Sequence, residues 1–330
     1  MSEFISTFIT GFKDIVENDL KEKLEGCKIL NVFDGIIHYK YDKNSHDLEK
    51  IVYFNNTFFV LQTFWKNEDF PAMVDSVCSQ KKYYLISKGL FRVRFQKENQ
   101  FVKADKNIVK KAENTVIANS RLKLDRVSPS TEIWYSKRRD GFGFCGQLIS
   151  KREFTEKNLH KGELRPEIAY LICCFARLNG NENILEPFCG YGGLAVQLAK
   201  KFIFNNLFVS DIDKEKVDFI MSKKQFVGNP KINVSIQDAF ILDNIDEHSI
   251  DCIITDPPWG FYEEIEDIND FYEKMLVSFK RVLKEDGFLV ILTARKSEFE
   301  QVCGKLGISV NQRLDTLVNG KKTGLFRVTF

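Results

Sequence analysis

The pattern of apolar and polar positions changes character midway along the chain. Beyond residue 165, short unbroken apolar runs alternate with segments whose apolar residues recur every three or four positions. The runs NILEPF (183–188), LFVSD (207–211), INVSIQD (232–238), DCIITD (251–256) and FLVILTA (288–294) read as strands. Helices are predicted over 165–180, 192–202, 214–228, 268–287 and 297–307. Pro166 suits the first turn of the first helix, and Gly180, Gly228 and Gly307 act as stops. Such alternation implies a parallel sheet covered on both faces. The last two runs, ISVNQRLDTLV and TGLFRVTF, flank the turn NGKK and lie too close for a crossover helix, so they predict an antiparallel hairpin. The second half is thus an α/β doubly wound sheet ending in a hairpin.

The first half lacks this rhythm. Strands are predicted in FISTFIT, KILNVFDGIIHYKY, FRVRFQ (91–96) and TEIWYSK (131–137), with helices over 11–26 and 105–120. This is an α+β arrangement. The polar stretch 150–164 marks the change, giving two domains, 1–155 and 156–330.

With 44% apolar and 28% charged residues, the 330-residue chain reads as soluble and globular. No apolar stretch approaches the roughly 20 residues of a membrane helix, and the N-terminus lacks a basic, then apolar, leader pattern. Eight scattered cysteines without a C-x-x-C pair, and only four histidines, predict free thiols in a reducing cytoplasm and no metal site. The net charge of +2 hides an asymmetry: Lys81–Arg152 carries 18 Lys+Arg against 6 Asp+Glu, a net +12, and leaves −10 on the rest. That block is either a footprint for a polyanion or a solvated face.

In a doubly wound sheet, ligands sit beyond the carboxyl ends of the strands. The first such loop is EPFCGYGG (186–193), where Gly190, Gly192 and Gly193 permit close backbone approach and expose amides at a helix start. Asp211 ends the next strand, where a carboxylate can accept from ribose hydroxyls or simply cap a helix. Asp238 ends the third, placed to meet an adenine edge. Together these describe an adenosine-containing cofactor. NAD stays open, because Gly190-x-Gly192-x-x-Ala195 fits a dinucleotide fingerprint.

The fourth strand ends in TDPPWG (255–260). Asp256 supplies acceptors, Pro257 a carbonyl without a competing N–H, and Trp259 a flat face for a base. Two acceptors aimed at an amino group can hold its protons and turn the nitrogen lone pair toward a methyl donor, an arrangement useless for hydride transfer.

These residues resemble the [D/N]-P-P-[Y/F/W] signature of amino-methylating S-adenosylmethionine-dependent methyltransferases. The resemblance implies a Rossmann-like domain with S-adenosylmethionine held by Glu186, Phe188, Gly190, Gly192, Asp211, Ile212, Asp238, Ala239 and Asp256. Asp256, Pro257 and Trp259 would clamp the amine. The stretch 91–141 resembles a THUMP domain, an RNA-binding module, on its FRVRF strand, the following helix and LDRVSPSTEIWY. TFITGFKDIVENDL, LHKGELRPEIAYLI and LVNGKKTGLFRV also fit THUMP-containing RNA guanine-N2 methyltransferases. The family implies methylation of a guanosine N2 amine in RNA, most readily tRNA. Arg92, Arg94, Lys103, Lys106, Lys110, Lys111, Lys137, Arg138 and Arg139 would contact phosphates. The alternatives are an rRNA substrate, DNA adenine or cytosine methylation, protein glutamine methylation, and a non-catalytic RNA-binding protein. The acidic segment 261–273, just past the clamp, would repel phosphates unless it is a solvated helix start.

Overall fold

A computed structural model of the chain describes every residue except 1, 67, 153–158 and 262–263. It divides into two compact units, Met1–Phe8 with Leu20–Glu153, and Ile9–Asp19 with Phe154–Phe330. The expected boundary at 155/156 lies outside the described residues. Ile9–Asp19 joins the second unit because it is tied there: Thr316 Oγ1 donates to the Thr10 carbonyl at 2.7 Å, and Tyr170 donates to Asp19 at 2.6 Å.

The first unit is built on a nine-stranded sheet. Its strands are β1 (Ser2–Thr7), β2 (Lys28–Phe33), β3 (Ile36–Tyr41), β4 (Asn56–Phe64), β5 (Lys88–Lys97), β6 (Gln100–Val102), β7 (Arg121–Leu124), β8 (Thr131–Lys137) and β9 (Gly143–Lys151). They run in the order β2-β3-β1-β4-β9-β8-β5-β6, with β7 also paired to β5. After helices α1 (Lys13–Lys23) and α2 (His46–Glu49), helices α3 (Phe70–Cys78) and α4 (Lys106–Asn119) bury Met73, Val74, Val77, Ala112 and Val116 against Phe91, Phe95 and Tyr135 of the sheet. Asp105 caps α4, its carboxylate accepting from the amides of Asn107 and Ile108. The periodicity reading passes over β4, α3 and β9. Strand β9 carries two glycines, a weak strand composition. A Cβ at Gly146 would stand 3.0 Å from the Phe58 Cβ, so close packing excludes a better strand former there.

The second unit contains a seven-stranded sheet. Its strands are β10 (Asn183–Glu186), β11 (Asn206–Asp211), β12 (Ile232–Ile236), β13 (Ile250–Thr255), β14 (Leu283–Thr293), β15 (Ser309–Val318) and β16 (Lys321–Thr329). The order is β12-β11-β10-β13-β14-β16-β15. The first five are parallel, and β16 pairs antiparallel with both β14 and β15. This is the doubly wound sheet with a terminal hairpin that the sequence predicts. Helix α8 (Ile268–Val282) buries Tyr272, Met275, Leu276 and Phe279 against Ile253, Leu289 and Ile291, and α9 (Lys296–Leu306) extends that layer. Helices α5 (Pro166–Ala176) and α6 (Gly193–Lys201) pack together, and α5 lies on β13 and β14.

Three helices end earlier than the periodicity predicts. Helix α5 stops at Arg177 (φ 53°), because the Glu182 carboxylate accepts from the amides of Asn179 and Gly180 and draws the chain into a turn. Helix α7 (Lys214–Met221) stops at Ser222, whose hydroxyl donates back to Phe219 O. Helix α8 stops at Val282, because Leu283 is extended and pairs with Ile250, with Lys284 bound to Asp251 at 2.6 Å. The chain winds from β10 outward to β12 and returns to β13 beside β10. The loops after β10 and β13 therefore flank the switch point.

Candidate active site

Those two loops open into a cavity of about 400 Å³. Their ends are tied by Thr255, whose hydroxyl donates to Glu186 Oε1 at 2.9 Å. Glu186 is fully buried; Oε1 also accepts from the Phe188 amide, while Oε2 has no hydrogen-bond partner among the described residues. Burial pushes the Glu186 carboxyl well above the ordinary range; its hydrogen bonds pull back, and Asp256 and Asp211 add to the rise.

The glycine loop corrects one expectation. Two of its glycine amides are spent: Gly190 N donates to Asp211 Oδ2 at 2.9 Å and Gly192 N to Cys189 O at 2.8 Å, while Cys189 N donates to Ser210 O. Gly190 thus offers space rather than a donor. Gly190, at φ 51°, would carry a Cβ into open volume, whereas a Cβ at Gly192 (φ 92°) would meet Ile220 and Val196 at 3.3 Å. Gly192 is absent from the cavity wall; it turns the chain into α6. Gly193 lines the wall, and a Cβ there would stand 3.2 Å from the Leu164 backbone.

Asp211 is buried at the end of β11, with Oδ1 accepting from the Asp213 amide, so it orders the glycine loop while still facing the cavity. Asp238 turns the chain after β12, accepting from the Phe240 amide at 2.8 Å. Phe188, Ile212, Ala239, Phe240 and Phe271 complete this side with flat apolar surface. Phe240 and Phe271, and the loop Lys161–Leu164, were not predicted, because only the fold brings them here.

At the other end of the cavity stand Asp256, Pro257, Pro258 and Trp259. Asp256 Oδ1 is buried and without a partner among the described residues. Burial raises its pKa well above the ordinary carboxylate value, only partly offset by Trp259. The indole is anchored by Nε1, 3.3 Å from Leu292 O. All predicted cofactor and clamp residues except Gly192 therefore share one cavity wall.

An adenosylated sulfonium fits this set. Unpartnered buried acceptors await donors, aromatic surface awaits a base, and Gly190 leaves volume for a ligand. The dinucleotide reading loses support, because the amides of Gly190 and Gly192 are already spent on Asp211 and Cys189.

The basic block is divided by the structure. Arg92 and Arg94 both pair with the buried Glu132, which also accepts from Trp134 Nε1 at 2.6 Å. Lys111 pairs with Asp75, and Arg138 with Asp140. Lys137 is half-buried, its ammonium 5.8 Å from the Phe70 ring centroid. Lys103, Lys106, Lys110 and Arg139 are exposed. Along α4, Lys110 and Lys111 line an open groove of about 460 Å³ with Asn107, Asn114 and Asn119.

Among the described residues no helix is long and apolar enough to cross a membrane, and no cluster of acidic, His and Cys residues could hold a metal ion.

Over 217 residues, 63% of this chain and 63% of the relative, the sequence is 27% identical to a tRNA (guanine(10)-N2)-dimethyltransferase of Methanothermobacter thermautotrophicus. The chain thus spans under two thirds of that relative's length. It is 25% identical over 281 residues to the enzyme of the same name from Methanocaldococcus jannaschii, covering 80% of this chain and 76% of that one. The crystal structure of TrmN from Thermus thermophilus superimposes with a TM-score of 0.80 at 17% identity, covering 100% of this chain and 99% of that one, which establishes a shared fold. Residues 152–323, more than half of the chain, match the family described as UPF0020, RMKL-like, methyltransferase domain, and the protein belongs to that family.

Proposed function

We propose that this protein transfers a methyl group from S-adenosylmethionine to the exocyclic N2 amine of a guanosine in RNA, with tRNA as the favoured substrate. The observation that carries the reading is the buried Asp256 Oδ1, without a partner among the described residues, in the same cavity as Gly190, Asp211 and Asp238. Bound there, S-adenosylmethionine supplies a methyl carbon already activated by its sulfonium. Glu186, Asp211 and Asp238 supply acceptors to the cofactor's hydroxyls and amines, and Phe188, Phe240 and Phe271 enclose its base.

The chain's own work is positioning and desolvation. An exocyclic amine on an aromatic base is a weak nucleophile because its lone pair is delocalised. Hydrogen bonds from its two protons to Asp256 and the Pro257 carbonyl localise that pair on nitrogen. Trp259 holds the extruded base flat. The raised proton affinity of Asp256 suits it to accept the proton released as the nitrogen gains its methyl group.

The guanosine-in-RNA assignment draws on the substrates named for the relatives and on the basic first unit. That unit would serve as a THUMP-like RNA-binding module, with Lys103, Lys110, Arg139 and the α4 groove facing phosphates in a cytoplasmic setting. The test is incubation with labelled S-adenosylmethionine and separate tRNA, rRNA and DNA pools, followed by mass spectrometry of the nucleosides. N2-methylguanosine from tRNA is the expected product; label in DNA, or on adenine or cytosine, refutes the assignment.

A further inference from the structure

We propose that Lys321, supported by Arg295, is a phosphate anchor at the mouth of the cavity, positioning the RNA backbone beside the target guanosine. This inference rests on the function proposed above. The terminal hairpin reverses at Asn319 (φ 49°) and Gly320 (φ 76°), and its tip reaches the cavity, where Val318, Asn319 and Lys321 form part of the wall. There the exposed Phe261, next but one after the clamp tryptophan, serves as a common support. Its ring centroid lies 4.4 Å from the Lys321 ammonium, 4.7 Å from the Arg295 guanidinium carbon and 6.4 Å from the Trp259 centroid, with the two rings perpendicular.

Arg295 is fixed to the clamp itself, Nε donating to the Trp259 carbonyl at 2.9 Å, and its only carboxylate neighbour among the described residues is Glu298 at 3.7 Å. The Lys321 ammonium has no ion pair or hydrogen bond among the described residues. A ring face occupies one side of an ammonium and leaves N–H donors for an anion. Two cations from separate segments thus converge on one ring beside the clamp. The segment 261–273 is otherwise acidic, and a polyanion approaching the clamp needs a local cation to offset that repulsion. A backbone phosphate next to an extruded nucleotide is the anion that the proposed reaction brings to this spot.

The experiment compares wild type, Lys321→Ala and Lys321→Arg on unmodified tRNA made by transcription. It measures KM and kcat across KCl concentrations, with S-adenosylmethionine affinity by calorimetry. Lys321→Ala should raise the RNA KM about fivefold to tenfold and reduce the slope of log KM against log salt by roughly 0.7–0.9, the loss of one phosphate contact. Its kcat should stay within about twofold, cofactor affinity should be unchanged, and Lys321→Arg should restore KM. An unaltered KM and slope in an active enzyme overturn the anchor and leave the methyltransferase reading standing. A weakened cofactor affinity also overturns it, by placing the lysine on the cofactor carboxylate. A wild type that methylates no RNA removes both.

Discussion

Replacing Asp256 by alanine separates the work of the clamp from the stability of the fold, because the two should move in opposite directions. In the wild type, one carboxylate oxygen is buried without a partner among the described residues, and burial has driven its pKa well above the ordinary value. A lost charge-assisted hydrogen bond is worth about 1.5–3 kcal/mol, and more where water is excluded and charge develops. A loss of about 3 kcal/mol corresponds to a rate decrease on the order of a hundredfold. The kcat of Asp256→Ala should therefore fall at least about a hundredfold, with S-adenosylmethionine affinity within roughly threefold of wild type. Stability should rise. Removing a buried, unsatisfied acceptor relieves about 1 kcal/mol, which for a unit of this size is roughly 2–4 °C in Tm. The pH dependence has a definite sign. An acid whose folded pKa exceeds its unfolded value of about 3.9 destabilises the fold only above that value. The advantage of Asp256→Ala should grow as pH rises from about 4 and level off above the folded pKa. Over the same interval wild-type kcat/KM should rise, since the ionised carboxylate is the working acceptor. Calorimetric Tm, cofactor binding and single-turnover methylation report these quantities. Turnover within tenfold of wild type, or a Tm several degrees lower, refutes the reasoning.

Gly190→Val should abolish S-adenosylmethionine binding in titration while the protein stays folded, since the side chain projects into open cavity and the positive φ adds only about 1–2 kcal/mol of strain. Glu132→Ala should lower stability by about 3 kcal/mol without altering cofactor affinity, because Arg92 and Arg94 lose their shared partner; an unchanged denaturation midpoint would contradict the internal role assigned to these arginines. Reversing the exposed charges with Lys110→Glu and Arg139→Glu should weaken tRNA binding and lower the salt slope by roughly one unit per site, with unchanged thermal stability; retained affinity in a filter-binding assay would remove this unit from the RNA interface.

The doubly wound half was legible because parallel strands buried on both faces are unbroken apolar runs, and because the chemistry of such sheets gathers at strand ends. Asp211, Asp238 and Asp256 could be found by counting to the end of each run. The nine-stranded sheet was less so. Strand β9 hides behind two glycines, explained by the backbone of Ser136 beside Gly143 and by Phe58 beside Gly146, and no local pattern shows that β4 lies between β1 and β9. The basic block was visible as charge, but Arg92 and Arg94 could not be separated from Lys110 without knowing that Glu132 lies buried beside the two arginines.

By itself the sequence determined which side chains carry chemistry and which loops hold them, because hydrophobic period and turn residues are local properties of the chain. Tertiary structure alone decided how each polar group is spent. It spent the Gly190 and Gly192 amides on Asp211 and Cys189, left one oxygen each of Glu186 and Asp256 without a partner among the described residues, and set Lys321 against Phe261 from sixty residues away. Those outcomes depend on which atoms face each other across the sheet ends, and a linear pattern carries no record of such pairings.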